Sequence, residues 1–169
     1  MYVGKRTRLA NLTVLGDVEL VDRIADAMTE KLRAIKFDFL VAPQIKIVPF
    51  IHGVAKRLGH KRFVLCRKTV KPYMISPTII KPLVSFPKHV KQMVINGVDA
   101  DLLKNKKVVL LDDVVSTGVT LLMLGKLMEK VGAEVVTYAV VIKQGEQLRR
   151  LKSLIHLGEL QIFKDKKWE

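Results

Sequence analysis

The chain holds a single cysteine, Cys66, in 169 residues, so no internal disulfide can form and a reducing compartment suits it. It has no apolar run of membrane-spanning length, and the residues after Lys5, Arg6 and Arg8 lack the apolar stretch of a secretory signal. A soluble, cytoplasmic protein is expected. Histidine is also scarce. His52, His60 and His89 stand at no spacing with cysteine or carboxylate that would build a zinc site, so a protein-held zinc is not expected. The most consequential shortage is of acid: 16 Asp and Glu against 30 Lys and Arg, a formal net charge of +14. Phe39 to Val98 contains no Asp or Glu at all, while basic residues recur through it from Lys46 to Lys91. Such a region calls for a polyanionic partner. A small substrate carrying several phosphates and a nucleic acid satisfy that demand equally.

What is present is ample for one core. A hydrophobic fraction of 49% over this length suits a single domain spanning 1–169. Asp17 is placed to cap a helix whose apolar positions Val21, Ile24, Ala25, Met28, Leu32 and Ile35 recur at helical spacing. Phe37 to Val41 reads as a strand, Val48 to Leu58 as a helix stopped by Gly59, and Phe63 to Cys66 as a second strand. Further on come a strand at Val108 to Leu111, a helix from Val119 to Lys130 closed by Gly132, and a strand at Val135 to Ile142. This alternation predicts an α/β domain with a mostly parallel central sheet flanked by helices and a ligand at the carboxyl ends of the strands. Pro72, Pro77, Pro82 and Pro87 interrupt the pattern at five-residue intervals. Proline excludes helix and favours edge strands, so 72–98 is read as a hairpin or flap.

The richest segment is Val108 to Thr120, Val-Val-Leu-Leu-Asp-Asp-Val-Val-Ser-Thr-Gly-Val-Thr. An apolar strand runs into two carboxylates, then a small-residue turn, then an amphipathic helix. Ser116, Thr117 and Thr120 offer hydroxyls and Gly118 an unencumbered backbone where the helix begins. The first helical N–H groups lack internal partners, so a phosphate is well received there. Asp112 and Asp113 would repel a phosphate but are placed to accept hydrogen bonds from sugar hydroxyls. A ribose 5-phosphate fits both halves. The alternative is a buried strand ending in an ordinary capped turn, for which adjacent acids before Ser-Thr-Gly are seldom needed.

This segment resembles the signature of the type I phosphoribosyltransferases, which transfer ribose 5-phosphate from phosphoribosyl pyrophosphate to a base with Mg²⁺. The resemblance makes Asp112 and Asp113 the ribose-hydroxyl carboxylates, with Mg²⁺ arriving with the substrate close to them. It also makes Val115, Ser116, Thr117, Gly118, Val119 and Thr120 the 5-phosphate loop. Two further segments are similar to the adenine-type members. Val41-Ala42-Pro43-Gln44-Ile45-Lys46-Ile47 falls on the pyrophosphate loop, with Lys46 at the family arginine, Gln44 at its glutamate and Ile47 at its glycine. Arg67-Lys68-Thr69-Val70-Lys71 falls on the Arg-Lys-x-x-Lys stretch that faces the departing pyrophosphate. Lysine is a point charge where arginine is a fork, and isoleucine lacks the conformational freedom of glycine, so this loop departs from the pattern.

The resemblance implies the type I phosphoribosyltransferase fold, a flap over the site, and a small hood over the base built from terminal segments, here 1–16 and 155–163. It implies a homodimer acting on phosphoribosyl pyrophosphate and a purine. Hypoxanthine and guanine enzymes have an aspartate where Ser116 stands, which favours adenine; Lys143 stands near the position where 6-oxopurine enzymes use a lysine and adenine enzymes often a glutamate. The flap lacks the carboxylate usual in adenine enzymes, and no residue is named as general acid or base. Tyr73, Phe86 and Trp168 are candidates for stacking on a base, although scattered aromatics more often serve packing. The rival reading is a phosphoribosyl pyrophosphate-binding sensor without catalysis that binds nucleic acid through the acid-free region.

Overall fold

The computed structural model describes residues 7–8, 16–82, 92–145, 151, 153–161 and 163–164. Helix α1 (Val18–Leu32) starts where Asp17 accepts the backbone N–H of Leu20 at 3.0 Å, the cap read from the sequence. Strand β2 (Phe39–Pro43) leads to helix α2 (Val48–Arg57), with a proline in its first turn, and Gly59 follows at φ +76°. Strand β3 (Val64–Cys66) precedes the proline-rich segment, where β4 (Thr78–Ile80) and β5 (Met93–Ile95) pair antiparallel. Then come the short helix α3 (Gly97–Leu103), strand β6 (Lys107–Val115), helix α4 (Val119–Val131), strand β7 (Glu134–Gln144) and strand β8 (Leu154–Leu160). At the extremities β1 (Thr7–Arg8) pairs antiparallel with β9 (Phe163–Lys164).

The central sheet runs β3-β2-β6-β7-β8, all parallel. Its interior strands are covered on both faces, so their apolar residues form a run whose members divide between two cores. On β6, Val108 and Leu110 join α3, α4 and the hairpin strand β5, while Val109 and Leu111 join α1 and α2. Met28, Leu32, Phe50 and Ile51 are fully buried in the second core. Each such side chain contributes about 1.5–3 kcal/mol from burial. Arg57 clamps α2 to α1, its Nε donating to Asp26 at 2.5 Å and its Nη2 to Asp22 at 3.1 Å. Both acids are largely exposed, and solvent-screened pairs of this kind are worth about 0–1 kcal/mol, which aligns the helices more than it stabilises them.

Three sequence expectations need correction. The strand expected over Phe37 to Val41 begins at Phe39, because the Phe37 ring stacks on His60 with centroids 5.0 Å apart and Asp38 is bonded through backbone and carboxylate to Lys107. The strand expected to stop at Leu111 continues through both acids to Val115, since β7 extends the ladder to Val115↔Lys143. Helix α3 begins inside the 72–98 segment read as a hairpin or flap and runs on to Leu103. Within the tail read as hood, Leu154–Leu160 is the edge strand of the central sheet, in register from Tyr138↔Leu154 to Gln144↔Leu160, with Ile155 and Leu157 packed against the second core, while Phe163–Lys164 pairs with β1. Most of the hood expected at 1–16, and the flap tip at 83–91, lie outside the described residues.

Gly97 shows how closely the hairpin base abuts α3. A Cβ there would lie 2.5 Å from the carbonyl oxygen of Ile75 and 2.7 Å from that of Ser76. Both obstacles are backbone and cannot rotate aside. Gly97→Ala is expected to cost about 1–3 kcal/mol, read as a lowered midpoint in thermal or urea unfolding; an unchanged midpoint would show that this junction is loose.

Candidate active site

In a parallel sheet every carboxyl end lies at one edge, and a crevice opens where successive connections leave in opposite directions. Here that point lies between β2 and β6, because the chain moves from β2 outward to β3 and later returns to β6 and on to β7. The segment after β2 supplies Gln44 and Lys46, the segment after β3 supplies Arg67, Lys68 and Lys71, and the end of β6 supplies Asp112 to Thr120. The three segments, some seventy positions apart in sequence at the extremes, share one edge of the sheet.

On β6, Asp112 and Asp113 are half-buried. The Asp112 carboxylate accepts the N–H of Asp113 at 2.9 Å, and the Asp113 carboxylate accepts that of Val114 at 2.8 Å. These bonds hold the two side chains at the strand end. Although Asp112 keeps some exposed surface, its carboxyl group is so surrounded by protein that burial pushes its pKa well above the usual carboxylate range. The charge of Asp113 pushes the same way, and the Lys68 ammonium opposes the shift. The charge of Lys68, beyond β3, is thus felt at Asp112 on β6.

Val115 is buried, Ser116 half-buried and Thr117 exposed; Gly118, at φ +73°, is the N-cap of α4. A side-chain-bearing residue rarely adopts that backbone conformation. No side chain caps this helix start, which leaves the first N–H groups of α4 available to an anion, with the Thr120 side chain exposed on the first turn. Val119 is half-buried against the core.

The loop after β2 is anchored by the Gln44 N–H, which donates to the Cys66 carbonyl at 2.9 Å. Gln44 is half-buried and Lys46 exposed. Ile47, at the position of the family glycine, takes φ −75° and ψ −14° and is 1% exposed in the core. That conformation suits any residue, so isoleucine is tolerated without strain and adds packing. Arg67 exchanges backbone hydrogen bonds of 2.7 Å with Val94 of the hairpin, and its guanidinium lies over the Tyr73 ring at 5.5 Å. Tyr73 thus meets an arginine, and Phe86 and Trp168 lie outside the described residues. Lys71 is half-buried in the turn that follows.

Glu159 lies opposite Lys143 across the β7–β8 ladder. Its carboxylate pairs with the Lys143 ammonium at 3.0 Å and with His156 at 3.3 Å, and Lys143 sits beside Val115 in the ladder. Lys143 holds the Glu159 carboxyl below its ordinary pKa. No local signal marks Glu159, since it falls in the tail read as a hood and only the register of β8 on β7 sets it opposite Lys143.

The raised pKa of Asp112 has a definite sign in stability. The unfolded carboxyl titrates near 4, so above that pH the folded state binds more protons than the unfolded state, and stability falls as pH rises toward the folded value. Asp112→Asn keeps the shape and removes the charge. Its urea midpoint at pH 7 is expected to equal or exceed that of the parent, the two converging below pH ~4; a clearly lower midpoint at pH 7 would mean that the ionised form is the stabilised one.

Comparison with known proteins agrees with this geometry. The phosphoribosyl transferase domain matches residues 15–165. The adenine phosphoribosyltransferase of Thermosipho africanus is 34% identical over 131 residues, 77% of this chain and 73% of that protein. The orotate phosphoribosyltransferase of Archaeoglobus fulgidus is 28% identical over 160 residues, 93% of this chain and 78% of that protein. Among solved structures, adenine phosphoribosyltransferase from Thermoanaerobacter pseudethanolicus superposes with a TM-score of 0.74 at 24% identity, covering 87% of this chain and 84% of that one. The Leishmania tarentolae enzyme gives 0.69 at 26% identity, covering 83% and 71%. The family match spans the chain from the start of α1 to beyond β8, and the chain belongs to the type I phosphoribosyltransferase family.

Proposed function

We propose that this protein is a purine phosphoribosyltransferase whose base is adenine, releasing pyrophosphate from phosphoribosyl pyrophosphate and forming a nucleoside monophosphate. The observation that carries the reading is the meeting, at one edge of the sheet, of paired carboxylates, an uncapped helix start and a lysine from beyond β3, two strands away, whose charge acts on Asp112. Asp112 and Asp113 hold the ribose hydroxyls, and the Ser116 to Thr120 loop takes the 5-phosphate. Arg67, Lys68, Lys71 and Lys46 face the pyrophosphate with Gln44 beside them. As pyrophosphate departs, its negative charge grows and these cations stabilise it, while positive character develops at the ribosyl C1. A purine nitrogen attacks from the opposite face, the C1–oxygen bond breaks, and the configuration inverts.

Mg²⁺ fits the site: a buried carboxyl with a raised pKa beside a second acid is relieved by added positive charge. Asp112 and Asp113 are the residues that would hold the ion near the substrate, where it supplies charge neutralisation to the leaving pyrophosphate. Adenine is favoured by several curated relatives named for it. Ser116 stands in place of the aspartate of 6-oxopurine enzymes, and the Lys143 ammonium is engaged by Glu159 rather than free for an oxo group. Among the described residues no helix is long and apolar enough to cross a membrane. A cytoplasmic homodimer is the working assembly.

The test is pyrophosphate release with Mg²⁺ and phosphoribosyl pyrophosphate, comparing adenine, hypoxanthine, guanine, xanthine and orotate with a no-base control. Release with adenine alone is expected. Turnover with another base would reassign the substrate, and retained binding with no turnover would make the cradle a sensor. The double variant Asp112→Asn, Asp113→Asn is expected to remain folded and lose sugar-phosphate binding in calorimetry; unchanged affinity would overturn the site.

A further inference from the structure

The edge of the sheet opposite the cradle carries a second basic surface that phosphoribosyl transfer does not use. Two cavities of about 530 and 520 Å³ open there side by side and share His60. The first lies between the ends of α1 and α2 and the starts of β2 and β6; the second follows the outer face of α2 into the turn before β3.

Four acids near this surface are paired to arginines, while Asp38 and Glu134, the latter opposite Lys107 in the β6–β7 ladder, form no ion pair among the described residues. Glu30 pairs with Arg33 at 2.9 Å, Asp99 with Arg62 at 2.6 Å, and Asp22 and Asp26 hold Arg57. Asp38, the acid lining the first cavity, accepts the backbone N–H of Lys107 at 2.8 Å. Four lining lysines, Lys36, Lys107, Lys56 and Lys61, are exposed and form no ion pair among the described residues. They are arranged around aromatic rings. Phe37 and His60 stack at 5.0 Å, and His52 meets Phe63 edge-on at 6.5 Å; all four rings line one cavity or the other and none is fully buried.

Uncommitted cations alone would describe a solvated face. Cations interleaved with accessible rings, along two adjoining concavities each large enough for a nucleotide, match the two demands of an unpaired polynucleotide: charge for the phosphates and flat surfaces for the bases. An acidic peptide would use the lysines and leave the rings without partners. A duplex hides its base faces and would do the same. We propose that this amino-end surface binds single-stranded nucleic acid, with Lys36, Lys56, Lys61 and Lys107 on the backbone and the rings around His60 receiving bases, independently of the phosphoribosyl cradle.

The test is fluorescence anisotropy with labelled 12-nucleotide oligouridylate and oligothymidylate, and a duplex of equal length, at 50 and 200 mM salt, with and without saturating phosphoribosyl pyrophosphate and Mg²⁺. Pyrimidine probes avoid the purine subsite. Binding of single strands tighter than duplex, weakened by salt and unaffected by phosphoribosyl pyrophosphate, is expected. The reversals Lys56→Glu with Lys61→Glu, and Lys36→Glu with Lys107→Glu, should each weaken binding at least ~10-fold and flatten the salt slope by roughly two charges. Their thermal midpoint and pyrophosphate-release rate should not change. Phe37→Leu should remove the preference for single strands. The proposal is overturned by absence of binding at 50 mM salt, by displacement with phosphoribosyl pyrophosphate, or by loss on charge reversal at Lys68 and Lys71 instead, which would place the contact at the cradle.

Discussion

The double burial of β6 is the constraint on which the rest depends. A strand bonded on both edges and covered on both faces can carry only apolar side chains along its length, and Val108 to Leu111 divide between two cores accordingly. Polar chemistry is tolerated where β6 runs past its last pair with β2 and keeps β7 as its neighbour, and there the chain places two acids ahead of the turn. The same constraint orders the neighbours. With β2 on one side and β7 on the other, the segments after β2 and β3 must open onto the same edge as the acids.

Electrostatics then set the character of that edge. Two adjacent carboxylates at the end of a buried strand are costly, as the raised pKa of Asp112 shows. Compensation comes from outside β6, from Lys68 and from whatever hydroxyls or cations enter the crevice. The protein is basic at both edges of its sheet, but the company differs. At the carboxyl edge Lys68 acts on Asp112, ahead of an uncapped helix start. At the amino edge the cations surround aromatic rings.

Elements with strong local signals were legible before folding was considered. Asp17 caps α1, Gly59 and Gly132 follow the helices they were read to stop, and the Val108 to Thr120 segment is a strand, turn and helix. The failures occur where non-local bonds decide. The continuation of β6 through Asp112 to Val115 is made by the β7 ladder, against the poor strand propensity of aspartate. The strand at Leu154–Leu160 leaves no mark in the sequence, because an edge strand with few special residues resembles any apolar segment until its partner is known. Ile47 departs from a glycine pattern, yet its backbone angles are ordinary and its burial makes it a core residue.

By itself the sequence determined the family: a small-residue turn after two acids, between an apolar strand and an amphipathic helix, is a local arrangement that spacing encodes directly. It also determined the charge, and with it the need for a polyanionic ligand. Tertiary structure decided which distant groups share the crevice, bringing Lys68 within electrostatic reach of Asp112 and setting Glu159 against Lys143. The physical reason is that parallel strand order and register arise from long-range burial and inter-strand hydrogen bonds, which leave no mark on the spacing of residues along the chain.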